Sequence, residues 1–136
     1  RNLRQVRGLL TADVVVQGGH DAGGLLRFRQ QAAIAEAHGV AVNRHAFMET
    51  EVSFLANLQV AAAIPNLTIG NQVMHQLLAE RLVKQPPVLE AGRAHVPASP
   101  GHGFEIDLEA VDRAHERWER EGPYSSLEGH TREEGR

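Results

Sequence analysis

The sequence predicts an α/β domain built on parallel strands, from three observations. Short apolar runs at residues 13–17, 40–42 and 66–69 alternate with longer stretches of helical periodicity. A glycine-rich turn, GGHDAGG at 18–24, divides the first run from the helix that follows it. A histidine, His45, stands just beyond the second run. Parallel strands need long crossovers, and strands alternating with helices mark a parallel α/β sheet or barrel.

Taken in order, residues 2–10 (NLRQVRGLL) place Leu3, Val6, Leu9 and Leu10 at roughly helical spacing. Residues 13–17 are apolar and β-branched, as expected of a strand buried on both faces. A helix follows over 25–38, offering Leu26, Phe28, Ala32, Ala33, Ile34 and Ala37 for packing, with Gly39 as its C-cap. A second short strand is expected at 40–42. A helix over 51–63 carries Val52, Leu55, Leu58, Val60 and Ala62, and Pro65 stops it. A third strand is expected at 66–69, ending at Gly70-Asn71, and a helix at 72–82. From Lys84 the character changes. Gln85-Pro86-Pro87 is a stop, and 88–90 with 94–96 suggest a hairpin around Ala91-Gly92. A loop and a short extended stretch at 104–106 lead to Asp107, the expected N-cap of a helix over 108–121 with Val111 and Trp118 on one side. From Pro123 the chain is polar and aperiodic, so a mobile tail is expected. Three strands alone leave two bare sheet edges.

The bulk numbers narrow the function classes. With 136 residues there is room for one domain with a core, built mostly from Leu, Val, Ile and Ala because aromatics are few. A net charge of −3 argues against nucleic acid or an anionic membrane as an obligate partner. The lack of cysteine excludes disulfides, thiolate metal sites and a cysteine nucleophile. No apolar run approaches the ~20 residues of a membrane-spanning helix, and RNLRQVRGLL does not read as a signal peptide. A cytoplasmic protein is expected.

Chemistry-bearing residues gather at the strand ends, where the active sites of parallel barrels lie. The glycine turn is either a cradle for phosphate or simply a tight strand-to-helix connection; it matches neither the dinucleotide fingerprint nor a P-loop. His45 is placed to move protons, with Asp21 or Glu49 available to fix its tautomer; the alternative is a loop histidine bonded to a backbone carbonyl. A metal site using His45, Glu49 and Glu51 lacks any HExxH pairing. Asn71 and Gln72 end the third strand, where their amides could hold a substrate hydroxyl or carboxylate; the alternative is Asn71 as a helix cap. His38, His75, His95, His102, His115 and His130 read as surface residues.

Three pieces in order resemble the C-terminal part of the mandelate racemase and muconate-lactonizing branch of the enolase superfamily. They are ADVVVQGGHDAGGLLRFRQQAAIAEAHGVAV followed by His45, then LQVAAAIPNL, then PPVLEAGRAHVPASPGHGFEID. The likeness covers roughly residues 5–120. It implies the last three βα units of a (β/α) TIM-type barrel, residues 1–83, and a hairpin-plus-helix closing segment, 84–122, that would pack on an N-terminal capping domain; 123–136 would be the tail.

By the same resemblance, the whole protein would be a Mg2+-dependent acid-sugar dehydratase or racemase. It would abstract the proton alpha to a carboxylate, with His45 as acid/base and with Asn71, Glu49 and Asp21 on the substrate side. The substrate would be a small acid-sugar or hydroxy-acid, and a homo-oligomer is expected for the full-length form. The family's metal carboxylates and lysine base come from earlier strands, which this chain does not contain. Two positions also depart from the pattern. Gly18 stands where the family carries an aspartate or lysine, and Asn71 where it often carries glutamate. A catalytically inactive homologue is therefore a second reading. A third is a flavin-dependent nitronate monooxygenase, whose Q-G-x-E/D-A-G-G turn is similar to residues 17–24 and would bring His20 and Asp21 into play.

Overall fold

The computed structural model describes Gly8 and residues 11–122. Apart from Gly8, the helix expected over 2–10 and the tail from Pro123 lie outside the described residues. Strand β1 (Val14–Gln17) leads through a one-turn helix α1 (Gly19–Ala22) into α2 (Leu25–Ala37), β2 (Ala41–Arg44), α3 (Glu51–Ala61) and β3 (Gly70–Asn71). A hairpin, β4 (Leu89–Glu90) with β5 (Arg93–Ala94), and a last helix, α4 (Leu108–Glu121), complete the described chain. The three main strands are parallel in the order β1-β2-β3, with Val15 opposite Val42, Gln17 opposite Arg44 and Arg44 opposite Asn71. This is the α/β arrangement expected.

Side chains alternate across a strand, so Val15 and Gln17 share a face with Val42 and Arg44, and Val16 shares the other with Asn43 and Gly70. The first face meets the helices. Helix α2 buries Phe28, Gln31, Ala32 and Ala35, an i, i+3, i+4, i+7 stripe, against Val15, Val40, Val42 and Ile64. Fully burying one such side chain as Phe28 is worth roughly 1.5–3 kcal/mol. A second cluster joins Phe54, Leu55 and Leu58 of α3 to Val83, with Leu89, Ala94 and Phe104 packed against it. The closing segment therefore seats directly on α3.

The expected strand 13–17 is buried on one face only, because Val16 points to the side the helices do not cover and is 48% exposed. Strand β2 runs further than 40–42 and carries Arg44 into the interior. The third strand lies at Gly70–Asn71 instead of 66–69. Asn66 is drawn into the helix layer, where its side-chain amide donates to the carbonyls of Ala32 and Val40. The helix expected over 72–82 is reduced to a single 3-10 turn, His75–Leu77. No side chain caps its N-terminus, and Leu78 is already extended. Tertiary anchors take over from helix propensity here: the Glu51 carboxylate accepts from Leu82 N–H at 3.3 Å, and Arg117 of α4 pairs with Glu80.

The remaining elements follow local chemistry. Gly39, at φ 69°, ends α2 in the left-handed region. Thr50 Oγ1 caps α3, and Asp107 Oδ1 accepts from Ala110 N–H at 3.1 Å to start α4. Ala91 (φ 48°) and Gly92 (φ 74°) make the two-residue turn of the hairpin. The stretch expected to be extended at 104–106 bends at Phe104 and makes one antiparallel bridge, from Ile106 to Val83. On α4, Trp118 is 56% exposed and Ala110 is the residue buried.

One histidine expected on the surface is interior. The ring of His75 is buried beside Phe54, 4.6 Å between centroids, and its Nδ1 has no partner among the described residues. Burial holds its pKa below the ordinary 6.5, with Glu51 and Glu49 pulling the other way. Between that lowered value and 6.5 the unfolded chain binds the proton that the folded chain refuses. Stability is thus full above about 6.5, falls as pH drops through the window, and levels below it. Melting temperatures followed from pH 7.5 to 5 should show a smaller acid loss for His75→Gln than for the parent; equal slopes would refute this account.

Candidate functional site at the strand ends

The site is built where β1 and β2 end. Residues after Gln17 turn at once into α1, whose backbone closes through Ala22 N–H to Gly18 carbonyl at 2.9 Å. Asn57, on α3, accepts from Gly19 N–H at 2.9 Å and pins this turn to the helix layer. A Cβ added at Gly19 would sit 2.4 Å from Asn57 Oδ1, so this glycine serves close packing. Gly23 and Gly24, at φ 87° and 120°, then swing the chain into α2. The glycines thus make the connection itself, and the N–H that begins the turn is spent on Asn57, not on a phosphate.

Fixing α1 this way projects Asp21 across the end of β2. His45 follows Arg44, so its side chain falls on the uncovered face with Asn43. Its Nδ1 lies 2.9 Å from Asp21 Oδ2, and both side chains are one-third exposed. The other carboxylate oxygen of Asp21 faces His20 Nε2 at 3.7 Å. His45 is itself held by its backbone N–H, which donates to the Gln17 carbonyl at 2.7 Å. An imidazole on an open face with a carboxylate on one nitrogen has a fixed tautomer and a second nitrogen available for proton transfer.

Gly18 explains why the carboxylate comes from Asp21. A Cβ there would lie 2.5 Å from the His45 carbonyl oxygen, a contact with backbone that no rotamer relieves. The position where the resemblance leads one to look for an aspartate is therefore closed to a side chain in this backbone, and the one-turn helix supplies the acid three residues later.

The other two residues expected on the substrate side lie elsewhere. Glu49 is buried and paired with Arg44, whose side chain is wholly enclosed. Asn71 sits opposite Arg44 in register, and its Oδ1 accepts from Arg44 Nη1 at 2.8 Å; the Gln72 carbonyl accepts from the same nitrogen at 2.7 Å. The guanidinium also stands 5.5 Å over the Phe54 ring. Glu49 and Asn71 thus hold Arg44 and tie β2 to β3, on the other side of the strand ends from the His45–Asp21 pair. Arg44 and Asn57 are supports that the sequence alone does not single out, and the Gln72 side chain, a strand-end amide, accepts from Ala46 N–H at 2.9 Å.

Among the described residues the strand-end carboxylates do not make a magnesium site. Glu49 is engaged by Arg44, Glu51 accepts from Leu82, and Asp21 stands between two imidazoles. Mg2+ demands oxygen ligands in near-octahedral array. Among the described residues the one group with metal-ligand spacing is His20, Asp21 and His45, which is nitrogen-rich.

A family model described as "Enolase C-terminal domain-like" matches residues 2–111. The chain belongs to this family. Chloromuconate cycloisomerase of Cupriavidus pinatubonensis is 34% identical over a 130-position alignment that takes in 81% of this chain and 35% of that protein. A probable glucarate dehydratase of Streptomyces coelicolor is 30% identical across 77% of this chain and 24% of its own length. In structure, an enolase from Mycobacterium smegmatis crystallised with tartrate is similar with a TM-score of 0.81 and 31% identity, over 90% of this chain and 30% of that one. The chain spans about a quarter to a third of the curated relatives it matches. Membership of this family decides between the two resemblances in favour of the enolase superfamily. Among the described residues no helix is long and apolar enough to cross a membrane.

Proposed function

We propose that this chain is the last part of a (β/α) barrel, three βα units and a closing segment, of an enzyme that moves the proton alpha to the carboxylate of an acid-sugar or hydroxy-acid. The observation that carries the reading is the His45–Asp21 pair at the strand ends, 2.9 Å apart on the face the helices leave open. Family membership supports it, as do relatives named as dehydratases and cycloisomerases and a neighbour crystallised with tartrate, a hydroxy-acid. Asp21 accepts from Nδ1–H of His45 and holds the imidazole so that Nε2 presents its lone pair to the substrate carbon. The imidazole takes the alpha proton; delivering it to a departing hydroxyl gives dehydration, while racemisation needs a second acid, on the opposite face and outside the described residues, to supply the new proton. Glu49, Arg44 and Asn71 keep the strand ends in register behind the histidine. The described residues do not hold the family's Mg2+, so an ion in the whole protein would rest on other residues. The bare edges of β1 and β3 are where the remaining barrel strands, and through them a homo-oligomer, would be built.

The test is exchange. The whole protein, incubated in D2O with a panel of sugar acids and 2-hydroxy acids, should replace the alpha proton of its substrate with deuterium, followed by proton NMR. No exchange with any member would overturn the reading.

A further inference from the structure

The geometry points to a second use of the strand-end cluster: His20, Asp21 and His45 form a binding site for an imidazole-preferring divalent transition-metal ion, of which Zn2+ is the representative. This site is distinct from any magnesium site, and it does not depend on the acid/base reading.

The three side chains each offer one ligand atom, and these atoms all lie within 4.8 Å of one another. Their arrangement is that of a chelate around the carboxylate. Asp21 turns one oxygen to His45 Nδ1 at 2.9 Å and the other toward His20 Nε2 at 3.7 Å, while the two rings stand 6.2 Å apart and inclined at 45°. A tetrahedral zinc ion holds nitrogen and oxygen ligands at about 2.0–2.2 Å, which puts its ligand atoms roughly 3.4 Å apart. The widest separation in the cluster needs a contraction of at most about 1.4 Å to reach that spacing. The His20 side chain can make it, being 53% exposed and carried on the one-turn helix α1. Asp21 and His45 are held in place, the one by the Asn57 anchor of the turn and the other by the ladder to Gln17.

The donor set selects the ion. Two imidazole nitrogens and one carboxylate oxygen suit Zn2+, Cu2+ or Ni2+ and disfavour Mg2+, which asks for oxygen throughout. Zn2+ also outranks Fe2+ on such ligands. Three protein ligands leave a fourth position open to water. An ion seated here occupies a lone pair that His45 would need as a base, so zinc and alpha-proton transfer exclude one another at this histidine.

Calorimetric titration of the whole protein with ZnCl2, in buffer containing millimolar Mg2+ and no substrate, tests the site. The expected result is saturable binding of one Zn2+ per chain, weakened at least ~10-fold in His20→Ala and in His45→Gln and unchanged in His115→Ala. His115 is an exposed histidine paired with Glu119 on α4, so its replacement controls for casual surface binding. The His20 side chain is 53% exposed, and an unchanged melting curve for His20→Ala separates loss of a ligand from loss of the fold. Absence of binding, binding that survives His20→Ala, or binding equally sensitive to His115→Ala would each overturn the proposal. None of these outcomes bears on substrate deuterium exchange, which is measured without zinc.

Discussion

Arg44→Met is expected to cost the fold about 3–5 kcal/mol, read as a lowered urea midpoint at unchanged slope. Arg44 is fully enclosed, ion-paired with Glu49, bonded to Asn71 and the Gln72 carbonyl, and stacked over Phe54. Removing the guanidinium leaves the Glu49 carboxylate in the interior, with its Oε1 already lacking a partner among the described residues. An unpaired buried charge is what makes the single change expensive; the pair as a whole is close to neutral against apolar side chains of similar volume. The double variant Arg44→Met with Glu49→Leu should therefore recover most of the loss, a coupling of well over 1 kcal/mol in a double-mutant cycle. Additive losses, or a single-variant cost below about 1 kcal/mol, would show that the pair is not desolvated in the way its burial indicates.

That ion pair also marks the limit of what the sequence makes legible. Helices α2 and α3 announce themselves by periodicity and by Gly39 and Pro65, and Asp107 and Ala91-Gly92 act through their own backbone chemistry. These are local effects, written in neighbouring residues. Arg44 and Glu49 carry the opposite signal, since charged residues read as surface. Nothing within a few positions of either shows that the other will enclose it. His75 is misread for the same reason. Residues 72–82 carry leucines at helical spacing, yet Glu51 and Arg117, 31 and 37 positions away from their partners, draw them into an irregular path. At the site itself, the sequence locates His45 and flags Gly18 as a departure. It does not show that a four-residue helix pinned by Asn57 brings Asp21 to the imidazole, because that depends on a hydrogen bond between residues 38 positions apart.

The consequence for activity follows from that helix. On the proposed acid/base role of His45, His45→Gln in the whole protein should lower kcat by ~10²–10⁴-fold, with KM little changed. Asp21→Asn keeps the size of the side chain and its place against His45 but offers an amide where the imidazole meets a carboxylate. On the same proposal Asp21 acts through His45 as a positioning residue, so its loss should appear in kcat, fall short of the His45→Gln loss, and leave KM near the parent value. Asp21→Glu, one methylene longer on an exposed one-turn helix, should restore part of the rate. Moving the carboxylate to the family position should not. Gly18→Asp in the Asp21→Asn background places a Cβ 2.5 Å from the His45 carbonyl oxygen, so it displaces the residue it would have to serve. Rescue by Gly18→Asp would mean that the turn rearranges to the family geometry, and that Asp21 is a neighbour of His45 without being its partner. Failure of that double variant, together with partial rescue by Asp21→Glu, would show that this chain has moved its acid from the strand end to the following helix.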